Sequence, residues 1–340
     1  MSFPASLSYD DVLLVPQYSD IVSRKEVDLT SGLDFWRELQ LPIISSPMDT
    51  VTESSMANAM ADLGGLGIIH RYNSIEMQVQ HSCEVKNYDR KAAAIGITGD
   101  YLERAQALYA SGVRILCLDV AHGHHILMSK AIENLKSLYS DIHIMAGNVA
   151  TKKGFEDLAN WGADSIRCNI GSGSICSTRI QTGHGMPGLQ TIFECFSADI
   201  KRDVKIIADG GIKNSGDMVK ALAAGADFVM VGSLLSGTNE TPGEVIHSSD
   251  GTKRKIYRGM ASKEAQHNWR GKHSSNEGIS TTVLTKGSVK DILRDLDNGI
   301  RSGLSYSGAR TILELQTKAE FITQTSSGQS ESKTHILSRK

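Results

Sequence analysis

The sequence predicts a closed (β/α)8 barrel, built as a single α/β domain. Three observations lead there: eight short unbroken apolar runs, amphipathic segments between them, and glycines where those segments should stop. The runs are 41–46, 66–70, 92–97, 114–119, 142–147, 165–170, 205–209 and 228–232. Unbroken rather than alternating runs suit parallel strands covered on both faces. The segments 101–111, 126–138, 152–161 and 216–224 carry helical periodicity, and Gly112, Gly162 and Gly225 stand at their C-caps. Eight such units in 340 residues fit one barrel. The alternative is an open doubly wound sheet, but its Gly-x-Gly-x-x-Gly turn with a later ribose-binding acid is not evident.

A barrel collects its chemistry at the C-terminal ends of its strands. Taken in order, those ends carry Ser45-Ser46-Pro47-Met48-Asp49, His70-Arg71, Asp119-Val120-Ala121-His122, Gly147-Asn148, Gly171 to Cys176, Asp209-Gly210-Gly211 and Gly232-Ser233. After the eighth run, 236–256 reads as an excursion rich in turn residues, and 261–279 as a mobile, polar flap. The stretches 287–299 and 303–315 read as two closing helices. The polar tail 323–340 is expected to be disordered or laid on a neighbouring subunit.

Composition removes several classes of function. Net charge is −2, which gives no electrostatic case for nucleic acid or an anionic membrane. No apolar run is long enough to span a bilayer, and the first residues lack a signal-peptide pattern. Five cysteines without Cys-x-x-Cys spacing argue for a reducing, cytoplasmic setting rather than disulfides or zinc. The histidines at 122, 124 and 125 supply no recognisable ligand set for a metal.

The segment Gly171-Ser-Gly173-Ser174-Ile-Cys176-Ser-Thr178 is the expected centre of the chemistry. Its glycines leave backbone N–H groups to face an anion, or carbonyls to face a monovalent cation. Cys176 reads either as a nucleophile or as a small apolar filler. Thr178 and the flap acid Glu277 read as proton-transfer partners. Asp209-Gly210-Gly211 and Gly232-Ser233 end the seventh and eighth strands, a favoured phosphate position in barrels, with Asp209 placed for ribose hydroxyls. Asp119 reads as a carboxylate that orients a cofactor amide or caps a helix.

Together these segments resemble the inosine monophosphate dehydrogenase/guanosine monophosphate reductase family along nearly the whole chain. The resemblance is carried by Tyr9-Asp-Asp-Val-Leu-Leu-Val-Pro16, Ser23-Arg24-Lys-Glu-Val-Asp28, Ser46-Pro-Met-Asp-Thr-Val-Thr-Glu53, Gly171-Ser-Gly-Ser-Ile-Cys176, Ala208-Asp-Gly-Gly211, Tyr257-Arg-Gly-Met260 and Glu277-Gly278. It implies a TIM barrel, usually homotetrameric, that binds a purine nucleotide and a nicotinamide cofactor. Dehydrogenases of the family normally carry a CBS-domain pair after the second strand unit, and this chain has no room for one there. Their longer flap bears an Arg-Tyr pair that activates water; between Met260 and Glu277 this chain has only Trp269-Arg270. Thr182-Gly-His-Gly185 and Phe193-Glu-Cys195 also look like the reductase, whereas 46–53 and the tail 319–333 look more like dehydrogenases.

The implied reaction is therefore reduction of GMP by NADPH to IMP and ammonia, with NADH as the less favoured donor. The alternative is an IMP dehydrogenase without CBS domains. By the resemblance, Cys176 attacks purine C2, and Thr178 and Glu277 relay the proton. Ser174, Asp209, Gly210, Gly211, Gly232 and Ser233 hold ribose and phosphate, and Arg258, Gly259 and Met260 meet the base. Ser23, Arg24, Arg71, Asp119, Val120, Ala121 and Gly171 face the cofactor. Gly171, Gly173 and Cys176 are the candidate carbonyl ligands of K+.

Overall fold

The computed structural model describes residues 5–271, 276–332 and 334. Three short strands come first: β1 (Val12–Leu14), β2 (Ser31–Gly32) and β3 (Glu38–Leu39). The barrel follows as β4 (Ile43–Ser45), β5 (Leu66–Ile69), β6 (Ala92–Ile95), β7 (Ile115–Asp119), β8 (His143–Val149), β9 (Ser165–Cys168), β10 (Lys205–Asp209) and β11 (Phe228–Val231). Each lies parallel to the next, and β11 returns to β4 in the register Val229↔Ile43 and Val231↔Ser45. All eight apolar runs are thus barrel strands.

The helices α1 (Ser54–Asp62), α2 (Ile75–Glu84), α3 (Tyr101–Ala110), α4 (Ile126–Leu138) and α5 (Lys152–Trp161) follow β4 to β8 in turn. After β9 come α6 (Thr178–Thr182) and α7 (Gly188–Phe196), and α8 (Ser215–Ala223) follows β10. Between β5 and β6 stand only α2 and one 3-10 turn, Tyr88–Arg90, with no inserted domain.

Alternate strand residues divide the core in two. Ile44, Ile68, Ala94, Cys117, Met145, Ile207 and Met230 fill the barrel, with Leu33 and Leu39 of the β2–β3 hairpin joining that cluster. Their neighbours Ile43, Ile69, Ala93, Leu116, Ile144, Ala208 and Val229 pack against the helices. Both faces of each strand are buried, which is why the runs show no alternation.

Past β11 the chain forms a three-stranded antiparallel sheet from β12 (Ile246–His247), β13 (Lys253–Arg258) and β14 (Ser280–Leu284). Helix α9 (Lys263–Arg270) lies in the connection from β13 to β14. Ser262 caps it by accepting from Ala265 N–H. The chain then runs through α10 (Val289–Tyr306), α11 (Ile312–Lys318), β15 (Phe321–Thr323) and α12 (Ser326–Glu331).

Two expectations need correction here. Two closing helices are present, but the break between them lies at 307–311 rather than between 299 and 303: α10 runs through Gly299 and Gly303, and α11 follows. These glycines do not break the helix; they let it approach α8. A Cβ on Gly299 would lie 2.3 Å from Ser215 Oγ, and one on Gly303 2.5 Å from Val219 Cγ2. The first residues of the tail pair with their own chain. β15 pairs antiparallel with β1, and Gln324 donates from its N–H and its Nε2 to the carbonyls of Asp11 and Asp10. The rest of the tail, and flap residues 272–275, lie outside the described residues.

Candidate active site

The strand ends converge on a cavity of about 280 Å³ at the C-terminal mouth of the barrel. The loop 171–176 borders it. Gly171 takes φ +89°, a conformation open to glycine, and Cys176 N–H closes a turn on the Gly173 carbonyl at 3.0 Å. The Cys176 thiol lies 3.1 Å from Thr178 Oγ1, within hydrogen-bond reach.

The flap is stitched to this loop by its backbone. Ser177 N–H donates to the Glu277 carbonyl at 2.9 Å, and Ile279 N–H to the Ile175 carbonyl at 3.1 Å. Ser177 Oγ adds a bond to the Asn276 carbonyl at 2.9 Å. Glu277 thereby enters the cavity lining beside Cys176 and Thr178. Residues a hundred positions apart in sequence are fixed together by main-chain bonds that no side-chain pattern announces.

Ser174, Asp209, Gly210, Gly211, Gly232, Ser233, Gly259 and Met260 also line the cavity, as do Gly171, Arg71, Asp119, Val120 and Ala121. Ser174 Oγ lies 3.4 Å from the Tyr257 hydroxyl, whose pKa burial raises. Asp49 N–H meets Met260 Sδ at 3.3 Å, tying the first strand end to the start of the flap.

Beneath these groups lies a charge network that the sequence reading missed. Arg167, on β9, is 7% exposed and reaches two carboxylates. Its Nη1 is 2.7 Å from Asp119 Oδ1, while Nε and Nη2 are 3.1 and 2.9 Å from Asp209 Oδ2. Burial opposes the charge on Arg167, but Asp209 leads the interactions that hold it protonated. Burial likewise opposes ionisation of Asp119; Arg167 and then Arg71 outweigh it and hold the carboxyl below its ordinary range. The thiol of Cys117, beside Arg167, is pushed up to about 12 by burial.

Asn148 Nδ2 donates to Asp209 Oδ2 at 2.8 Å, so one oxygen of Asp209 accepts three bonds from the protein. Asn169 donates to the carbonyls of Asp209 and Gly210, at 2.9 and 3.2 Å. Its Oδ1 is buried with no hydrogen-bond partner among the described residues. A buried acceptor left open beside a cavity fits a ligand's donor.

At the mouth, Tyr72 and Trp269 of α9 stack with ring centroids 4.3 Å apart. The Arg71 guanidinium lies 5.3 and 5.4 Å from the two rings and donates to the Asp119 carbonyl at 3.0 Å. Its Nε is buried without a hydrogen-bond partner among the described residues. That nitrogen lies 3.6 Å from Asp119 Oδ2, so the guanidinium is ion-paired there while its face lies beside the two aromatic rings.

Three expected site assignments concern residues that lie outside the cavity lining or are engaged within the chain. Arg258 does not line the cavity; its Nη2 is 2.5 Å from Asp49 Oδ2 and its Nη1 3.1 Å from Glu264 Oε1. Ser23 and Arg24 do not reach the cavity of their own chain. Ser23 instead caps the 3-10 turn Arg24–Glu26, its N–H donating to Glu26 Oε1 at 2.8 Å. Of the carbonyls expected for K+, that of Gly173 accepts one hydrogen bond, from Cys176 N–H. No metal-holding group of three His, Cys, Asp or Glu occurs among the described residues, and no described helix is long and apolar enough to cross a membrane.

Comparison with known proteins agrees with this geometry. Residues 6–335 match the IMP dehydrogenase / GMP reductase domain model. Inosine-5′-monophosphate dehydrogenase of Nitrosopumilus maritimus is 34% identical over 472 aligned positions, covering 98% of this chain and 99% of the relative. The enzyme of the same name from Cryptosporidium parvum is 39% identical, covering 97% of this chain and 94% of its own. Among solved structures, a GMP reductase from Trypanosoma brucei in complex with guanosine 5′-monophosphate superposes with a TM-score of 0.93 at 30% identity, covering 98% of both chains. Matched along its length in sequence and in fold, the chain belongs to the IMP dehydrogenase/GMP reductase family of oxidoreductases.

Proposed function

We propose that the protein is a GMP reductase, converting GMP, NADPH and protons to IMP, ammonium and NADP. The observation that carries this reading is the grouping of Cys176, Thr178 and Glu277 around one cavity, under a flap without an adjacent Arg-Tyr pair. The GMP-bound neighbour supports the substrate.

In this reading Ser174, Gly211, Gly232 and Ser233 hold the phosphate, and Asn169 Oδ1 accepts from the ligand. The Cys176 thiolate bonds to purine C2, and the C2–N bond breaks. Thr178 and Glu277 deliver the proton with which the amino group leaves as ammonia. Arg71, Asp119, Val120 and Ala121 hold the nicotinamide nucleotide, which supplies the hydride for C2 when bound. The C2–S bond then breaks, Cys176 leaves as thiolate, and C2 keeps the hydrogen of IMP. Arg167 fixes the carboxylates on which both halves of the site rest. No step is routed through a metal ion. The assembly is proposed to be a homotetramer in the cytoplasm.

The second reading is IMP dehydrogenase, favoured by the full-length similarity to relatives of that name. It requires a water activator, which the described flap residues do not offer as an Arg-Tyr pair. A paired assay decides between them. With GMP and NADPH the reduced-cofactor absorbance should fall; with IMP and NAD it should stay flat. The opposite pair of results replaces the reductase with the dehydrogenase.

A further inference from the structure

The segment that leaves β11 at Gly232 and Ser233 is held by a cation that does not line the cavity. Leu235 and Ser236 N–H both return to the Gly232 carbonyl, at 3.1 and 3.0 Å, which makes a tight turn. The N–H groups of Ser233 and Leu234 in that turn donate to no acceptor among the described residues. The carbonyls of the same two residues are engaged. Lys286 Nζ lies 2.7 Å from the Ser233 oxygen and 3.1 Å from that of Leu234, and Ser236 Oγ donates to the Ser233 oxygen at 2.8 Å.

Main-chain bonds fix where Lys286 stands, between β14 and α10. Its N–H donates to the Gly237 carbonyl at 2.9 Å, and the next carbonyl, that of Gly287, accepts from Asn239 N–H at 2.8 Å. Gly237 takes φ +79°, and a Cβ there would collide with the Leu284 carbonyl oxygen, so the two segments meet backbone to backbone. Partial burial lowers the Lys286 pKa, and no carboxylate offsets that effect among the described residues. An ammonium set only against neutral carbonyls is an uncompensated charge, which costs free energy where water is partly excluded. A neutral donor would hold these carbonyls without that cost. The peptide joining Ser233 to Leu234 has its oxygen on the ammonium and its N–H open, so the charge polarises the N–H toward an anion.

We propose that Lys286 is a positioning residue for the substrate phosphate, fixing the Ser233–Leu234 turn through its carbonyls and supplying the positive charge that the phosphate dianion balances. It acts through the turn and does not touch the substrate. This inference rests on the reading that Gly232 and Ser233 hold that phosphate.

Calorimetric titration of the intact protein with GMP tests it, on the native chain, Lys286→Met and Lys286→Arg, with turnover at saturating GMP as a second readout. Lys286→Met should weaken GMP binding about tenfold and raise KM by a similar factor, while kcat holds within about twofold. Lys286→Arg, which keeps the charge and the donors, should recover most of the lost affinity. Raising choline chloride from roughly 0.05 to 0.5 M should weaken GMP less in Lys286→Met than in the native chain, because one screened attraction is gone. A strut that only maintained shape would move kcat along with KM and leave the salt dependence as it was. Unchanged GMP affinity in Lys286→Met overturns the inference alone, as does an equal loss in the methionine and arginine variants. Failure of GMP to bind the native chain overturns the proposed function and this inference with it.

Discussion

At the N-terminal end of the barrel, His143 stands between Asp34 Oδ2 at 3.0 Å and Ser165 Oγ at 2.8 Å. At the C-terminal end, Cys176 and Thr178 sit 3.1 Å apart on the wall of a cavity, near an Asn169 oxygen with no partner among the described residues. Both ends place polar groups on strand termini. At the lower end most are spent on one another, Arg90 Nε excepted: Asp164 accepts from Ile144 N–H and Asp227 from Ile206 N–H, each at 2.7 Å and each across to a neighbouring strand. At the upper end the protein leaves donors and acceptors open. Saturated polar groups hold a fold, whereas open ones cost stability and are kept where a ligand completes them.

Four variants can break or sharpen that contrast. Cys176→Ala should lower kcat by at least about a thousandfold while thermal stability and nucleotide binding hold, because only the nucleophile is lost. Residual turnover near the native rate would end the covalent route. Arg167→Met should act on both properties. Two carboxylates remain below the pocket without their shared cation, and urea denaturation should show a loss of about 3–5 kcal/mol. An unchanged midpoint would mean that Asp119 and Asp209 do not depend on it.

His143→Leu should do the reverse of the cysteine change. Removing the partner of Asp34 and Ser165 should cost about 1–3 kcal/mol, with kcat unaffected. A fall in kcat without loss of stability would erase the division between the two ends. Asp227→Asn is the smallest and concerns pH. Burial raises the Asp227 pKa from 3.8 to about 6, so the folded chain binds the extra proton between those values. This group's contribution to stability therefore falls as pH rises from about 4 through about 6 and is level above. The variant keeps an acceptor for Ile206 N–H, so its stability relative to the native chain should climb over that window. A difference independent of pH would show that Asp227 does not titrate there.

The fold was legible because burial on both faces leaves an apolar run that survives without neighbours to interpret it. Gly299 and Gly303 misled because a glycine that ends a helix and one that admits a neighbouring helix look alike in one dimension. At the site, Cys176, Thr178 and Glu277 were readable as reactive types on glycine-rich segments. Arg167 was not, although it left a signal: a charged residue inside the apolar run 165–170 must find partners when the strand is buried. Arg258 was assigned to the ligand, yet Asp49, distant in sequence, takes its guanidinium. Such competition between partners exists only after folding.

The pairing of β1 with β15 has a consequence for how the molecule comes into being. Val12–Leu14 finds its hydrogen-bonded neighbour in Phe321–Thr323. A ribosome has to deliver three hundred further residues before that seam closes. During synthesis the opening segment is without this strand partner until Phe321–Thr323 has been made.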